Sequence, residues 1–118
     1  MLIKPQQGVT TAQAYNDFDK LIVKPELSNI DALIKALETD DDETIAREMK
    51  NSLQESAINL VPEIKDLIDT LKKDGFDMVL MSGSGSTVFA MSKNKYAIEK
   101  EAKKFDKNKY KIVVTHTL

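Results

Sequence analysis

Apolar residues change their spacing along this chain, and each change marks a different element. Leu2–Lys4 reads as the end of a strand that Pro5 is expected to stop, followed by a loop over Gln6, Gln7 and Gly8. Thr10 or Thr11 can cap a helix that runs to about Ile22, with Ala14, Phe18 and Leu21 along one side. Pro25 breaks that pattern. Ser28 or Asn29 can cap the next helix, where Ile30, Leu33, Ile34 and Leu37 follow the i, i+3, i+4, i+7 spacing of one helix face. A helix through Ile45, Met49 and Leu53 comes next, then a short apolar helical stretch over Ala57–Val61. Pro62 suits the first position of a strong helix whose inward stripe is Ile64, Leu67, Ile68 and Leu71, with Gly75 ending it at C′.

The period then shortens. Phe76–Met81 is a short apolar run suited to a buried strand, Val88–Met91 is a second, and Ser82–Thr87 joins them. Lys93–Phe105 returns to helix with Ala97, Ile98, Ala102 and Phe105 inward, and Tyr110, Ile112 and Val114 alternate in a last strand. The order strand, several helices, strand, strand, helix, strand predicts an α+β fold. It is a ferredoxin-like sandwich whose antiparallel sheet of about four strands is packed by helices, with extra helices in the first crossover.

Composition narrows the reading. The 118 residues suffice for one small domain, and 42% hydrophobic with 31% charged residues supports a core under a solvated surface rather than overall disorder. No run approaches the ~20 apolar residues of a membrane span, and the N-terminus lacks a signal-peptide h-region. The lack of cysteine excludes disulfides, thiolate zinc sites and a Cys nucleophile, and it accords with a cytoplasmic location. The net charge of −2 conceals an acidic stretch, Asp17–Asp77, and a lysine-rich one, Lys93–Lys111. A basic segment can steer anions, but with lysine everywhere and Arg47 the single arginine, it reads as a solvated helix face and no nucleic-acid partner is expected. The acids Asp40–Glu43 suit a helix N-terminus. They lack the alternating spacing and turn glycine of a calcium loop, so no metal is expected.

Candidate chemistry concentrates in Met81–Phe89, MSGSGSTVF. Gly83 and Gly85 permit positive φ and close backbone approach. Successive amides in such a loop can form an anion nest, and Ser82, Ser84, Ser86 and Thr87 add hydroxyls. The segment completes neither a Walker A motif nor a G-x-G-x-x-G fingerprint, so a plain structural turn and a phosphate cradle both remain open. The single histidine, His116, lies near the C-terminus, and no G-x-S-x-G elbow surrounds a serine. No nucleophile–base set is present, and no residue is assigned a catalytic role.

MSGSGSTVF resembles the third motif of the kinase superfamily named for galactokinase, homoserine, mevalonate and phosphomevalonate kinases, with Ser86 where a proline is frequent. Around it, IKP followed by GVTTAQAY (Gly8–Tyr15) resembles the family's strand–loop–helix, and VPEIKDLIDTLKKDG (Val61–Gly75) resembles the helix leading into the glycine loop. NSLQ (Asn51–Gln54) stands where many members have Asn-Asp-Leu-Glu, so Ser52 and Gln54 depart from the acids while Asn51 is kept. Among the branches, the combination looks most like the one acting on 4-diphosphocytidyl-2-C-methyl-D-erythritol (CDP-methylerythritol). Homoserine or mevalonate types are the alternatives within the superfamily, and a stand-alone ferredoxin-like anion- or ligand-binding regulatory module is the alternative outside it.

The resemblance implies that residues 1–118 are a single C-terminal, substrate-side domain. Its parent would transfer the γ-phosphoryl of ATP, with Mg2+, to a substrate hydroxyl in non-mevalonate isoprenoid synthesis. The ATP loop, the catalytic Asp and the substrate-side Lys belong to an N-terminal kinase domain that is not in this sequence. The chain alone is therefore expected to hold no cofactor and to be inactive, and to expose a patch where that partner packs, so that it can homodimerise. Carried over by position, Thr11 and Tyr15 would lie beside the cytidine, with Tyr15 stacking on the base. Gly83, Ser84, Gly85, Ser86 and Thr87 would close the substrate and phosphate pocket. The competing reading of Tyr15 is that it packs with Phe18 in the core.

Overall fold

In the computed structural model, which describes residues 1–117, the chain runs through β1 (Leu2–Pro5), α1 (Thr11–Lys20), α2 (Ile30–Glu38), α3 (Asp42–Glu48), α4 (Gln54–Leu60), α5 (Glu63–Lys73), β2 (Met78–Met81), β3 (Val88–Met91), α6 (Lys95–Ala102) and β4 (Tyr110–Val113). The four strands form one antiparallel sheet in the order β2-β3-β1-β4. This is the ferredoxin-like α+β arrangement expected from the sequence, with five helices inserted between β1 and β2.

Side-chain alternation sets the register. One face carries the row Met81, Val88, Ile3 and Ile112 across the four strands, and the other carries Leu80, Phe89, Leu2 and Val113. The first face meets α5 and α6: Ile64, Leu67, Ile68 and Leu71 of α5 and Ile98 of α6 form one core cluster with Ile3, Val79, Met81, Val88 and Ala90. The α5 stripe is the one its 3.6-residue spacing predicts. At its end Gly75, at φ +102°, closes a Schellman motif in which Phe76 N–H donates to Leu71 O (3.1 Å) and Gly75 N–H to Lys72 O (3.1 Å). That turn delivers the chain directly into β2.

Several local expectations are corrected. Pro5 is the last residue of β1 and pairs with Tyr110 rather than lying outside the strand. Beyond Ile3 the strand has no β3 neighbour, so the missing N–H leaves no ladder bond unmade on that side. Pro62 is the N-cap of α5 rather than its first residue. Helix α6 is shorter than Lys93–Phe105, because Asn94 caps it with its side chain (3.1 Å to Ala97 N). Val114 lies beyond β4 and is exposed. The helix expected through Ile45, Met49 and Leu53 is two helices: α3 ends at Glu48 with Met49 as its C-cap, and Leu53 is the N-cap of α4. On α2, Ile30, Ile34 and Leu37 are exposed and Ala36 is the buried residue, because the α2–α3 pair sits at the periphery. Among the described residues, no helix is long and apolar enough to cross a membrane.

Glu101 of α6 is a buried polar residue that the inward stripe did not anticipate. It is 3% exposed; Lys104 Nζ lies 3.1 Å from Oε2, and Oε1 has no hydrogen-bond partner among the described residues. Burial, and then the Asp74 carboxylate beside it, hold the Glu101 carboxyl above its ordinary value of 4.5. The stability that comes from keeping it neutral is complete below that ordinary value and is lost as pH rises through the raised folded one. Glu101→Gln should therefore melt higher than the parent chain at pH 7 and close to it at about pH 4. Thermal melts at the two pH values decide this; a variant destabilised more at pH 7 than at low pH contradicts it.

Candidate functional site

The β2–β3 loop and the N-terminus of α1 meet at one end of the sheet. Helix α1 starts where it does because Thr10 and Gln13 close a capping box: Thr10 Oγ1 accepts from Gln13 N (3.2 Å) and Gln13 Oε1 accepts from Thr10 N (3.2 Å). Buried Ala14, together with Asn59 of α4 donating to Asp17 (3.1 Å), seats the helix against α4. This places Thr11 Oγ1 3.2 Å from Ser84 Oγ, joining two residues 73 positions apart in the chain. Tyr15, one turn after Thr11 on the same helix face, is 53% exposed. It does not pack into the core with Phe18, whose ring is covered instead by the Lys24 ammonium at 4.6 Å.

The loop itself is anchored at its second glycine. Gly85 stands at φ +98°, and a Cβ there would lie 3.0 Å from Met81 Sδ and 3.3 Å from Ala57 Cβ, so only glycine fits. Gly83 is also left-handed, at φ +58°, but its surroundings are open. Ser82 N donates to Thr87 O (2.8 Å) and Gly85 N to Ser82 O (3.1 Å); the Gly83 and Ser84 amides donate to no acceptor among the described residues. Ser82 and Gly83 are exposed, Ser84, Gly85 and Thr87 are half-buried, and Ser86 is buried with its hydroxyl unpartnered among those residues. The loop thus leaves the Gly83 and Ser84 amides free, pairs the Ser84 hydroxyl with Thr11 and turns Ser86 inward.

Asn51 of the α3–α4 connection and Gln54, the first residue of α4, also belong here. Asn51 Nδ2 donates to Met81 O (2.8 Å) and Gly83 O (2.7 Å), and Gln54 Oε1 accepts from Met81 N (3.0 Å). Sequence reasoning noted the segment but attached no role to it. The available signal was a pair of side-chain amides three residues apart, Asn51 and Gln54. No cluster of three or more His, Cys, Asp or Glu able to hold a metal ion occurs among the described residues. The acids 40–43 are occupied otherwise: Asp41 caps α3 through Thr44 N (3.2 Å), and Lys93 lies 3.2 Å from Asp42.

Residues 33–112 match the family model described as GHMP kinases C terminal, and the chain belongs to that family through its C-terminal domain. Over its whole length it is 36% identical to the 4-diphosphocytidyl-2-C-methyl-D-erythritol kinase of Desulfitobacterium hafniense, of which it spans 41%. A crystal structure of 4-(cytidine 5'-diphospho)-2C-methyl-D-erythritol kinase superposes on 87% of the chain with a TM-score of 0.65 and 28% identity, over 37% of that protein. Homoserine kinase from Cytophaga hutchinsonii superposes on 86% with a TM-score of 0.69 and 27% identity, over 34% of its own length. The chain therefore spans about two fifths or less of the kinases it matches.

Proposed function

We propose that this chain is the substrate-side domain of a kinase that phosphorylates the 2-hydroxyl of CDP-methylerythritol, a step of non-mevalonate isoprenoid synthesis in the cytoplasm. The observation that carries the reading is the meeting of Thr11 with Ser84, which brings the helix bearing the exposed Tyr15 ring against the loop that carries the free amides. An aromatic face for a base next to amides for a diphosphate is the pair of surfaces a cytidyl diphosphate needs, and such stacking contributes about 1–3 kcal/mol per base. The similarity to CDP-methylerythritol kinases along the whole chain supports the same choice.

ATP and Mg2+ belong to the parent reaction. The glycine loop of this chain carries no lysine to meet ATP phosphates, which supports assigning both to another part of the parent protein. In this reading a second, N-terminal domain supplies that half. The exposed apolar residues Ile30, Ile34 and Leu37 of α2 are consistent with a chain that has a partner to cover them. The likeness to homoserine kinase supports a second reading, the same domain in another branch of the family.

Titration of the 15N-labelled chain separately with CDP-methylerythritol, homoserine and ATP distinguishes these readings. The expected result is movement of the Thr11, Tyr15 and Gly83–Thr87 resonances with the cytidyl ligand alone. Movement with homoserine alone transfers the domain to the other branch. Movement with ATP alone points to a stand-alone anion-binding module. If none of the three moves the loop, a cytidyl subsite contained in this chain is overturned.

A further inference from the structure

We propose that Asn51 and Gln54 are positioning residues that clamp the glycine loop and aim the Ser84 amide at the substrate. The part of this that concerns substrate rests on the function proposed above. Strand β2 lies at the edge of the sheet, so the backbone of its last residue, Met81, has no strand beyond it. Asn51 and Gln54 take that strand's place: Gln54 Oε1 accepts from Met81 N (3.0 Å) and Asn51 Nδ2 donates to Met81 O (2.8 Å).

The second hydrogen of the same Asn51 amide goes to Gly83 O (2.7 Å), and its Oδ1 accepts from Leu53 N (3.0 Å). All three hydrogen-bonding groups of the side chain are thereby used. Turned over, the amide would set its oxygen against two carbonyl oxygens, so one orientation is enforced. A trans peptide points its C=O and its following N–H in opposite directions. Drawing the Gly83 carbonyl toward Asn51 therefore turns the Ser84 N–H to the other side. That amide has no acceptor among the described residues, and its own hydroxyl meets Thr11. The clamp fixes a donor before any ligand arrives, which removes the cost of ordering the loop on binding. An amide or a carboxylate oxygen can equally accept from Met81 N, so a glutamate at position 54 would keep this bond.

Amide hydrogen exchange of Ser82–Thr87 in the ligand-free 118-residue chain tests the clamp, with CDP-methylerythritol affinity as the second arm. Asn51→Asp should accelerate loop exchange about tenfold at pH 7, the size expected for losing hydrogen bonds of ordinary strength, and weaken binding by a similar factor. Near about pH 4 the aspartate takes up a proton and can donate one bond, so Asn51→Asp should partly recover while Asn51→Ala does not. Should both variants unfold, Gln54→Glu and Gln54→Leu decide: Glu should keep parental loop exchange and Leu should not. Parental exchange in Asn51→Asp or Gln54→Leu overturns the clamp, and faster exchange with unchanged affinity overturns its role in aiming the amide. If the parent chain itself does not respond to the cytidyl ligand, the proposed function fails while loop exchange still decides the clamp.

Discussion

Gly85→Ala should cost the domain about 2–5 kcal/mol and release the conformation of the glycine loop. Two independent effects combine at this position. A residue with a Cβ in left-handed backbone costs roughly 1–2 kcal/mol, and Gly85 sits at φ +98°. Its Cβ would also press to 3.0 Å of Met81 Sδ and 3.3 Å of Ala57 Cβ, and forcing extra carbon into packed surroundings costs typically about 1–3 kcal/mol. Gly83→Ala isolates the first effect, because Gly83 is left-handed at φ +58° with nothing within 4 Å of where its methyl would stand. Chemical denaturation of the two variants measures the difference. Equal losses would show that Gly85 is needed for its backbone angle alone and not for the close approach to α4.

Ile64→Ala should be at least as damaging, with a loss of about 2–5 kcal/mol. Ile64 is 0% exposed and packs in the core cluster beneath the loop, its Cδ1 3.6 Å from where a Gly85 Cβ would stand. The truncation leaves a cavity between α5 and the sheet that close-packed neighbours cannot fully fill. The same truncation on α2, Ile34→Ala, should change stability by no more than about 0.5 kcal/mol, because Ile34 is 49% exposed. Two isoleucines on equally regular apolar stripes thus receive opposite expectations. Denaturant midpoints that rank them the other way would contradict the placement of α2 at the periphery.

That contrast shows how far the chain's pattern can be read. Spacing along α5 and α2 is equally helical, and both helices form. Burial depends on what lies opposite: α5 faces the sheet, whereas α2 has α3 beside it. The break after Met49 has a similar cause. The spacing of Ile45, Met49 and Leu53 continues a helix, yet the chain leaves it so that Asn51 can reach Met81 O and Gly83 O across 30 and 32 positions of sequence. Local propensity cannot register a bond made at that separation.

What the sequence determined by itself was the order of elements, the ferredoxin-like class and the glycine-rich turn between β2 and β3, because periodicity and glycine are local properties of the backbone. The tertiary structure alone decided that Thr11 meets Ser84, that Tyr15 stays exposed, that Glu101 is buried and that Asn51 and Gln54 hold the loop. Each of these depends on which surfaces the sheet order β2-β3-β1-β4 brings together, and on the hydrogen bonds that an edge strand must find outside its own sheet.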